Sequence, residues 1–183
     1  MLVGLCSDTH DNLGLAERAV DTFEREGVDA VIHCGDVLAP FTAAVFDADF
    51  DFHAVRGNND GEWALAETIE AFGTYHGESA HLTFRGSDST DVGDEPNGDV
   101  APDDGVDVAV YHGTSERLVD ALVDCGEYDY VVRGHTHERG IETRDGTVHV
   151  NPGGLPFDGA DDAYHVAVLD TDTGDVNFRE IDA

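Results

Sequence analysis

The chain has 183 residues, and 40 acidic side chains against 9 basic ones give it a formal charge of −31. All the basic residues are arginine, and lysine is absent. Because a phosphate backbone is bound through a basic footprint, this balance argues against an extended nucleic-acid surface. We interpret the charge as a solvated acidic surface adapted to high salt, where a Debye length of about 3 Å at 1 M screens the self-repulsion.

An apolar content of 40% is enough for a sizeable core, and we predict a single domain over 1–183. No segment is apolar over the ~18 residues that a membrane span needs. The start, Met1 to Cys6, is apolar but short and lacks a basic flank, so we expect a first strand, no signal peptide and a cytoplasmic location. The cysteines have no disulfide or metal-type spacing and are interpreted as small buried hydrophobes: Cys6, Cys34 and Cys125.

The first half alternates apolar runs of strand length with segments that are apolar at helical spacing. Strands are predicted at Leu2–Cys6, Val28–His33 and Phe52–Val55. Helices are predicted from Leu13 to Phe23 with a stop at Gly27, at Thr42–Phe46, and at Glu62–Phe72. This alternation indicates βαβ units and a largely parallel sheet.

The second half is richer in strands. They are predicted at Ala80–Phe84, Val106–Tyr111, Tyr128–Val132, Gly140–Thr143, Thr147–Val150, Tyr164–Leu169 and Asp175–Ile181, with one helix over 118–123. Asp145-Gly146 predicts a hairpin turn. The segment 86–105 is rich in Gly, Asp, Ser and Pro, which favours an exposed acidic loop insertion over a substrate lid. We therefore predict an α/β fold of two packed sheets with helices outside.

Polar motifs follow five of the predicted strands. In order they are Asp8-Thr9-His10, Gly35-Asp36, Gly57-Asn58-Asn59-Asp60, His112-Gly113 and Gly134-His135-Thr136-His137. The carboxyl ends of strands are where the sites of α/β sheets assemble, so these side chains are expected to converge on one rim. Together they offer seven oxygen and nitrogen ligands, enough for two metal ions that share a carboxylate. Paired metals in such a site hydrolyse phosphate esters.

Each motif alone is weak, but the ordered set resembles the calcineurin-like metallophosphoesterase superfamily. Asp8-Thr9-His10 and the late Asn151-Pro152-Gly153-Gly154 resemble its small prokaryotic phosphodiesterase branch, the YfcE-type proteins. The resemblance spans about Met1 to Val168. It implies a four-layer αββα sandwich, in which helices flank two packed mixed β-sheets, with a dinuclear site at one rim.

The resemblance also implies a division of the ligands. One metal would be held by Asp8, His10, Asp36 and His137. The other would be held by Asp36, Asn58, His112 and His135, with Asp36 bridging. Hard oxygen mixed with imidazole suits Mn²⁺, Fe²⁺, Ni²⁺ or Zn²⁺ better than Mg²⁺ or Ca²⁺, and we favour Mn²⁺. A hydroxide bridging the two metals would attack the phosphorus in line.

One position departs from the pattern of many superfamily members, which carry a histidine directly after the ligand asparagine. Asn59 stands there and cannot act as an acid, which costs about 10²–10⁴-fold for poor leaving groups. We therefore expect phosphodiesters or activated esters as small-molecule substrates. Asn59 is a candidate donor to a phosphate oxygen and Asp60 a candidate anchor of its loop, although both also suit a plain turn. Arg56 and Arg133 could contact phosphate, but salt bridges are the commoner use.

Two other functions stay open at this stage. One is a phosphomonoesterase or nucleotidase of the same superfamily. The other is a non-catalytic scaffold on the same fold, as in the retromer subunit that resembles these enzymes. The full set of seven ligands favours an enzyme. Exposed sheet edges and the resemblance make a homo-oligomer a further hypothesis.

Overall fold

The computed structural model describes residues 1–61, 63–85, 105–156 and 163–181. The strands are β1 Leu2–Cys6, β2 Ala30–His33, β3 Asp51–Ala54, β4 Thr74–Tyr75, β5 Ser79–Phe84, β6 Val106–Tyr111, β7 Tyr130–Val132, β8 Gly140–Arg144, β9 Thr147–Asn151, β10 Tyr164–Asp170 and β11 Val176–Ile181. The helices are α1 Leu13–Glu26, α2 Pro40–Ala43, α3 Trp63–Ile69 and α4 Glu116–Asp124, and a 3₁₀ turn at Ala44–Phe46 follows α2.

These strands form two sheets. The first sheet has the order β11-β10-β1-β2-β3-β4, and the second has the order β5-β6-β7-β9-β8. In the first sheet β1, β2 and β3 run parallel, with Cys6 opposite His33 and His33 opposite Ala54. In the second, β6, β7 and β9 are parallel as well. Each parallel set therefore ends along one edge of its sheet, and the loops that carry the motifs leave from these two edges.

Within the part of the chain that the structure describes, three apolar cores separate four layers. Val3 and Leu5 of β1 point toward the second sheet and pack with Val108 and Val132 between the sheets. The other face of the first sheet packs against α1, α2 and α3, the helices that precede and follow β2 and β3 in the chain. On the far side, α4 covers the second sheet. The predicted αββα sandwich is confirmed, with mixed sheets inside and helices outside.

Helix α1 shows how the sequence sets these layers. The Asn12 side chain accepts a hydrogen bond from the Leu15 amide at 3.1 Å and caps the start, while Gly27 ends the helix with a left-handed φ of 68°. The buried face includes Ala16 and Phe23, which lie about one and three turns from the capped end. The Phe23 ring lies over Gly4 of β1, where a Cβ would come within 2.7 Å of it. Burying such a ring stabilises the fold by roughly 1.5–3 kcal/mol.

Several predicted boundaries were wrong in detail. Strand β2 begins two residues later than predicted, and the helix predicted at Thr42–Phe46 is a short α2 that starts at Pro40, because proline suits the first turn of a helix. Helix α3 ends at Ile69. The two-residue β4 was missed, since two residues carry no periodicity. Glu62 and residues 86–104 lie outside the described residues, so the acidic loop insertion and the single-domain extent stay predictions.

Within the described ranges, no helix combines the length and the apolar character needed to cross a bilayer.

Candidate metal centre

The rim loops of the two sheets are joined by backbone hydrogen bonds. The Asp8 amide donates to Gly35 O at 3.0 Å within the first sheet, and the Gly134 amide donates to His112 O at 3.0 Å within the second. The Leu155 amide donates to Asp8 O at 3.0 Å and links the two sides. The motifs, remote in sequence, thus meet at one rim.

Two clusters of ligand atoms lie at this junction. Among the described residues, one consists of Asp8, His10 and His137 and the other of Asp8, Asp36 and His112, with ligand atoms within 4.8 Å of one another in each. The Asp36 carboxylate lies between the sides, since its Oδ2 is 3.5 Å from His10 Nε2 and 3.4 Å from His112 Nε2. This position suits a carboxylate shared by two cations.

The remaining predicted ligands lie beside these clusters. Asn58 Oδ1 is 3.1 Å from His112 Nε2. The His135 ring packs edge-on against the His112 ring with centroids 5.2 Å apart, and its backbone amide donates to Asp8 Oδ2 at 2.9 Å. Neither of the two clusters includes the His135 ring.

Asp8 is the clearest sign that this centre is built for a cation. Its side chain is completely buried, and none of the described residues completes a hydrogen bond to Oδ1. His137 Nε2 and His10 Nε2 face that oxygen at 3.2 and 3.6 Å. Burial opposes ionisation, but the His10 and His137 imidazoles hold the pKa of Asp8 well below its ordinary value. A buried carboxylate oxygen without a hydrogen bond fits a metal ligand.

The backbone sets the protonation of two imidazoles. His112 Nδ1 lies 2.7 Å from Cys34 O, and His137 Nδ1 lies 2.6 Å from Leu155 O. A carbonyl oxygen only accepts hydrogen bonds, so each Nδ1 carries a proton, and the ring in its neutral form would present its Nε2 lone pair to the centre. Such contacts to the outer nitrogen orient metal-binding histidines.

The charged side chains of the centre also shift the pKa values of these two histidine rings. Burial lowers the pKa of His112 and of His137, but neighbouring carboxylates outweigh it, so both pKa values lie above the ordinary value. Asp36 acts most directly on His112, and Asp8 on His137. The acidic ligands thus attract positive charge to the places where cations would bind.

Asn59 and Asp60 both contact the Asp36 loop. The Asn59 amide donates to Asp36 Oδ1 at 2.8 Å and its Nδ2 donates to Oδ2 at 2.7 Å. Asp60 accepts from the backbone amides of Asp36 at 2.9 Å, Gly57 at 2.8 Å and Leu38 at 2.7 Å. In this structure Asn59 holds the Asp36 carboxylate, and Asp60 holds the loop that carries it.

Several residues of the rim have a left-handed backbone conformation. Eight described residues other than glycine have positive φ, and five of them are predicted ligands: Asp8, His10, Asp36, His135 and His137. This conformation costs about 1–2 kcal/mol per residue for side chains with a Cβ. Strain of this kind concentrates where side-chain direction matters more than local stability.

Close approach explains one glycine of the motifs. A Cβ on Gly134 would collide with Ser7 Oγ and Asp8 Oδ2. The Ser7 hydroxyl in turn donates to Asp8 Oδ2 at 2.5 Å. Gly134 therefore lets the second sheet's loop approach Asp8, and any side chain there would push the two sides apart.

Sequence reasoning missed several parts of the centre. Ser7 and the carbonyls of Cys34 and Leu155 were not singled out, because a backbone carbonyl leaves no mark in a sequence. Arg133 proves to be buried beside Glu116 and not open to substrate, while Arg56 forms an exposed pair with Glu78 at 3.0 Å. Salt bridges, the commoner expectation for these arginines, are what the structure contains.

Comparison with known proteins agrees with this geometry. Residues 1–174 match the family model of the calcineurin-like phosphoesterase superfamily domain. The chain belongs to this superfamily. The predictions of the superfamily and of its small prokaryotic branch are confirmed.

Individual relatives extend over the whole chain. Phosphodiesterase MJ0936 of Methanocaldococcus jannaschii is 30% identical over 190 residues, covering 99% of this chain and 98% of the relative. A solved structure described as a novel archaeal phosphodiesterase superimposes with a TM-score of 0.82 at 26% identity, over 98% of this chain and 99% of that one. YfcE, a phosphoesterase from E. coli, shares the fold with a TM-score of 0.63 at 19% identity and full coverage of both chains.

Proposed function

We propose that this superfamily member is a metal-dependent phosphodiesterase. The observation that carries the proposal is Asp8 Oδ1, buried and without a hydrogen bond while two imidazole nitrogens face it. The phosphodiesterase named among its relatives aligns along nearly the full length of both chains. The chain also retains all seven side chains that the resemblance implies as ligands, which a scaffold would not need.

In this proposal the residues divide between two ions as the resemblance implies. Asp8, His10 and His137 lie in one cluster and would complete one site with Asp36. His112 and Asn58 lie together on the other side of Asp36 and would complete the second site with His135. Two divalent cations bound there would supply Lewis acidity and a water of lowered pKa.

The protein's own side chains prepare this centre before any substrate binds. The carbonyls of Cys34 and Leu155 fix the ring orientation of His112 and His137. Asn59 holds both oxygens of Asp36. Fixed ligands do not have to reorganise as charge develops on a phosphate, which is the basis of electrostatic catalysis.

Two features favour diesters over alkyl monoesters. Asn59 cannot protonate a leaving group, and it is already bonded to Asp36. Beside Asn58 and His112 lies a cavity of 220 Å³, lined also by Arg56, Tyr111 and Thr114. A diester carries a second ester arm that needs such room beside the metal ligands, whereas a simple monoester does not.

The conditions of activity are part of the proposal. Mixed oxygen and imidazole ligands support Mn²⁺ as the preferred ion. The charge of −31 supports a protein that works in high salt, in a cytoplasm that accumulates it. Purified protein in molar KCl should therefore turn over faster with Mn²⁺ than with Mg²⁺.

The test compares bis(4-nitrophenyl) phosphate with 4-nitrophenyl phosphate and glycerol phosphate, after chelation and Mn²⁺ reloading in molar KCl. We expect diester hydrolysis that depends on added metal, with little release of phosphate from the alkyl monoester. His53→Gln, a change at the edge of the intersheet core, serves as a matched control for loss of a histidine outside the centre. Strong alkyl monoesterase activity without diesterase activity would contradict the proposal.

A further inference from the structure

Arg133 is a buried arginine behind the loops of the second sheet, with 3% of its surface exposed. Its Nη2 donates to Gly113 O at 2.8 Å, and its Nε lies 3.3 Å from Gly134 O. Its Nη1 donates to Glu116 Oε2 at 2.7 Å. A guanidinium has five N–H groups in a rigid fork, so one side chain can fix three segments at once.

The two carbonyls that Arg133 contacts adjoin predicted ligands of the same metal. Gly113 directly follows His112, and Gly134 directly precedes His135. Both carbonyls lie in irregular loops, where buried polar groups need partners outside regular secondary structure. By bonding both, Arg133 ties together the backbone positions from which the two imidazoles project.

Gly113 is shaped to admit this side chain. It has a φ of 103°, and a Cβ built on it would lie 2.5 Å from Arg133 Nε. Any other residue there would meet the guanidinium as well as an unfavourable backbone conformation. The glycine of the His112-Gly113 motif is therefore explained by the arginine behind it.

The surroundings of Arg133 direct its head group to the backbone. Its charge partner, Glu116, has 68% of its side chain exposed and lies in the first turn of α4. The guanidinium itself is bonded within the protein at Nε, Nη1 and Nη2. These bonds leave it in a supporting role, because they commit each of its nitrogens to the loops and to α4.

We propose that Arg133 is a positioning residue, which fixes the spacing of His112 and His135 and so sets the affinity of the metal ion that they share. The proposal rests on the metal assignment made above. It gives Arg133 a larger effect on the ion shared by His112 and His135 than on the other ion. Of the ligands Asp8, His10 and His137, only Asp8 contacts a peptide that Arg133 holds, through the His135 amide at 2.9 Å.

The test replaces Arg133 with lysine, which keeps the charge but loses the fork. Mn²⁺ binding is measured by equilibrium dialysis and metal analysis, with no substrate present. We expect one of two ions to bind about 10–100-fold more weakly, the usual effect of removing a group that orients a ligand. Arg144→Lys is the matched control, because Arg144 also pairs with α4, at 2.9 Å to Asp120 and 3.2 Å to Asp124, on an exposed surface. It should leave both affinities unchanged.

Glu116→Gln separates the carbonyl contacts from the ion pair. A neutral amide oxygen still accepts from Nη1, so the proposal expects both ions to bind nearly as in the wild type. If this variant loses the same ion as Arg133→Lys does, charge pairing is responsible and the proposal is wrong.

The remaining outcomes are also decisive. Two-ion binding by Arg133→Lys at wild-type affinity overturns the role of Arg133 alone. Wild-type protein that binds fewer than two ions overturns the metal assignment, and the positioning role with it. If Arg133→Lys and the milder Arg133→Gln both fail to fold, the arginine acts in folding and not on one ion, which also rejects the proposal.

Discussion

The two sides of the centre are supported by opposite chemistry. On the first sheet's side a carboxylate, Asp60, accepts three backbone N–H groups from the loops around Asp36 and Gly57. On the second sheet's side, Arg133 donates to the carbonyls of Gly113 and Gly134. Asn151 also donates to Gly134 O, at 3.1 Å. Irregular loops leave unpaired donors on one side and unpaired acceptors on the other, and each side uses the side chain that matches.

The largest effect on activity is expected from a substitution of Asp36, where the two sides of the centre meet. Replacing Asp36 with asparagine removes the charge that faces both His10 and His112. We expect turnover of a diester to fall by about 10²–10³-fold or more, with the fold retained. Steady-state rates and circular dichroism in molar salt measure the two effects separately. A variant that keeps most of its activity would rule out a shared carboxylate.

The acceptor side can be disturbed without touching a predicted ligand. Asp60→Asn puts an amide donor against backbone amides that also donate, which leaves at least one buried N–H unpaired. Such a loss costs about 1–3 kcal/mol of stability, and we expect metal affinity to fall by about 10–100-fold. Urea unfolding and metal titration measure these changes. Arg133→Lys should weaken the ion held by Asp8, His10 and His137 less than the ion shared by His112 and His135, so equal loss of both ions in the two variants would erase the distinction between the sides.

A buried histidine that lies away from the centre, and belongs to neither side of it, provides a further test. Burial is the main cause that lowers the pKa of His53 to about 4, with a further contribution from His76. The folded pKa lies below the unfolded value of about 6.5. The contribution of neutral His53 to stability is therefore fully present above pH 6.5 and is lost as the pH falls toward 4. At pH 5 the loss is about 2 kcal/mol.

His53→Gln removes this titration, so its thermal stability should fall less steeply between pH 6.5 and 4 than that of the wild type. Melts are recorded with metal chelated, so that loss of metal does not enter the comparison. Burial also lowers the pKa of His33, to about 4, but that contribution is common to both proteins. Parallel pH profiles would show that His53 is not the source.

Salt concentration should have the smallest effect on stability per charged group, because its effect is spread over the whole acidic surface. Screening a charge of −31 is expected to raise the melting temperature by at least about 2–4 °C between dilute and molar KCl, which corresponds to about 1 kcal/mol. Differential scanning calorimetry along a salt series measures it. Highest stability in dilute buffer would contradict the high-salt interpretation.

The sequence predicted the side chains of the centre better than their support. Asp8, Asp36 and His112 could be found because each follows an apolar strand, and strand ends converge. Their arrangement depends on features that spacing does not encode, such as the carbonyl of Cys34 behind His112. Arg133 was noticed but not understood, because its partners are carbonyl oxygens and an exposed glutamate far along the chain. The boundary errors had a local cause, since α2 and β4 are too short for periodicity.

The left-handed backbone of five predicted ligands has a consequence for how this protein tolerates change. At His135 or His137, glycine would remove both the imidazole and the Cβ that makes the conformation costly, whereas alanine would remove only the imidazole. Glycine variants should then resist heat better than the alanine variants, and could exceed the wild type once metal is removed. Selection for catalysis would thus hold the rim below its highest stability, as in a trade-off between activity and robustness.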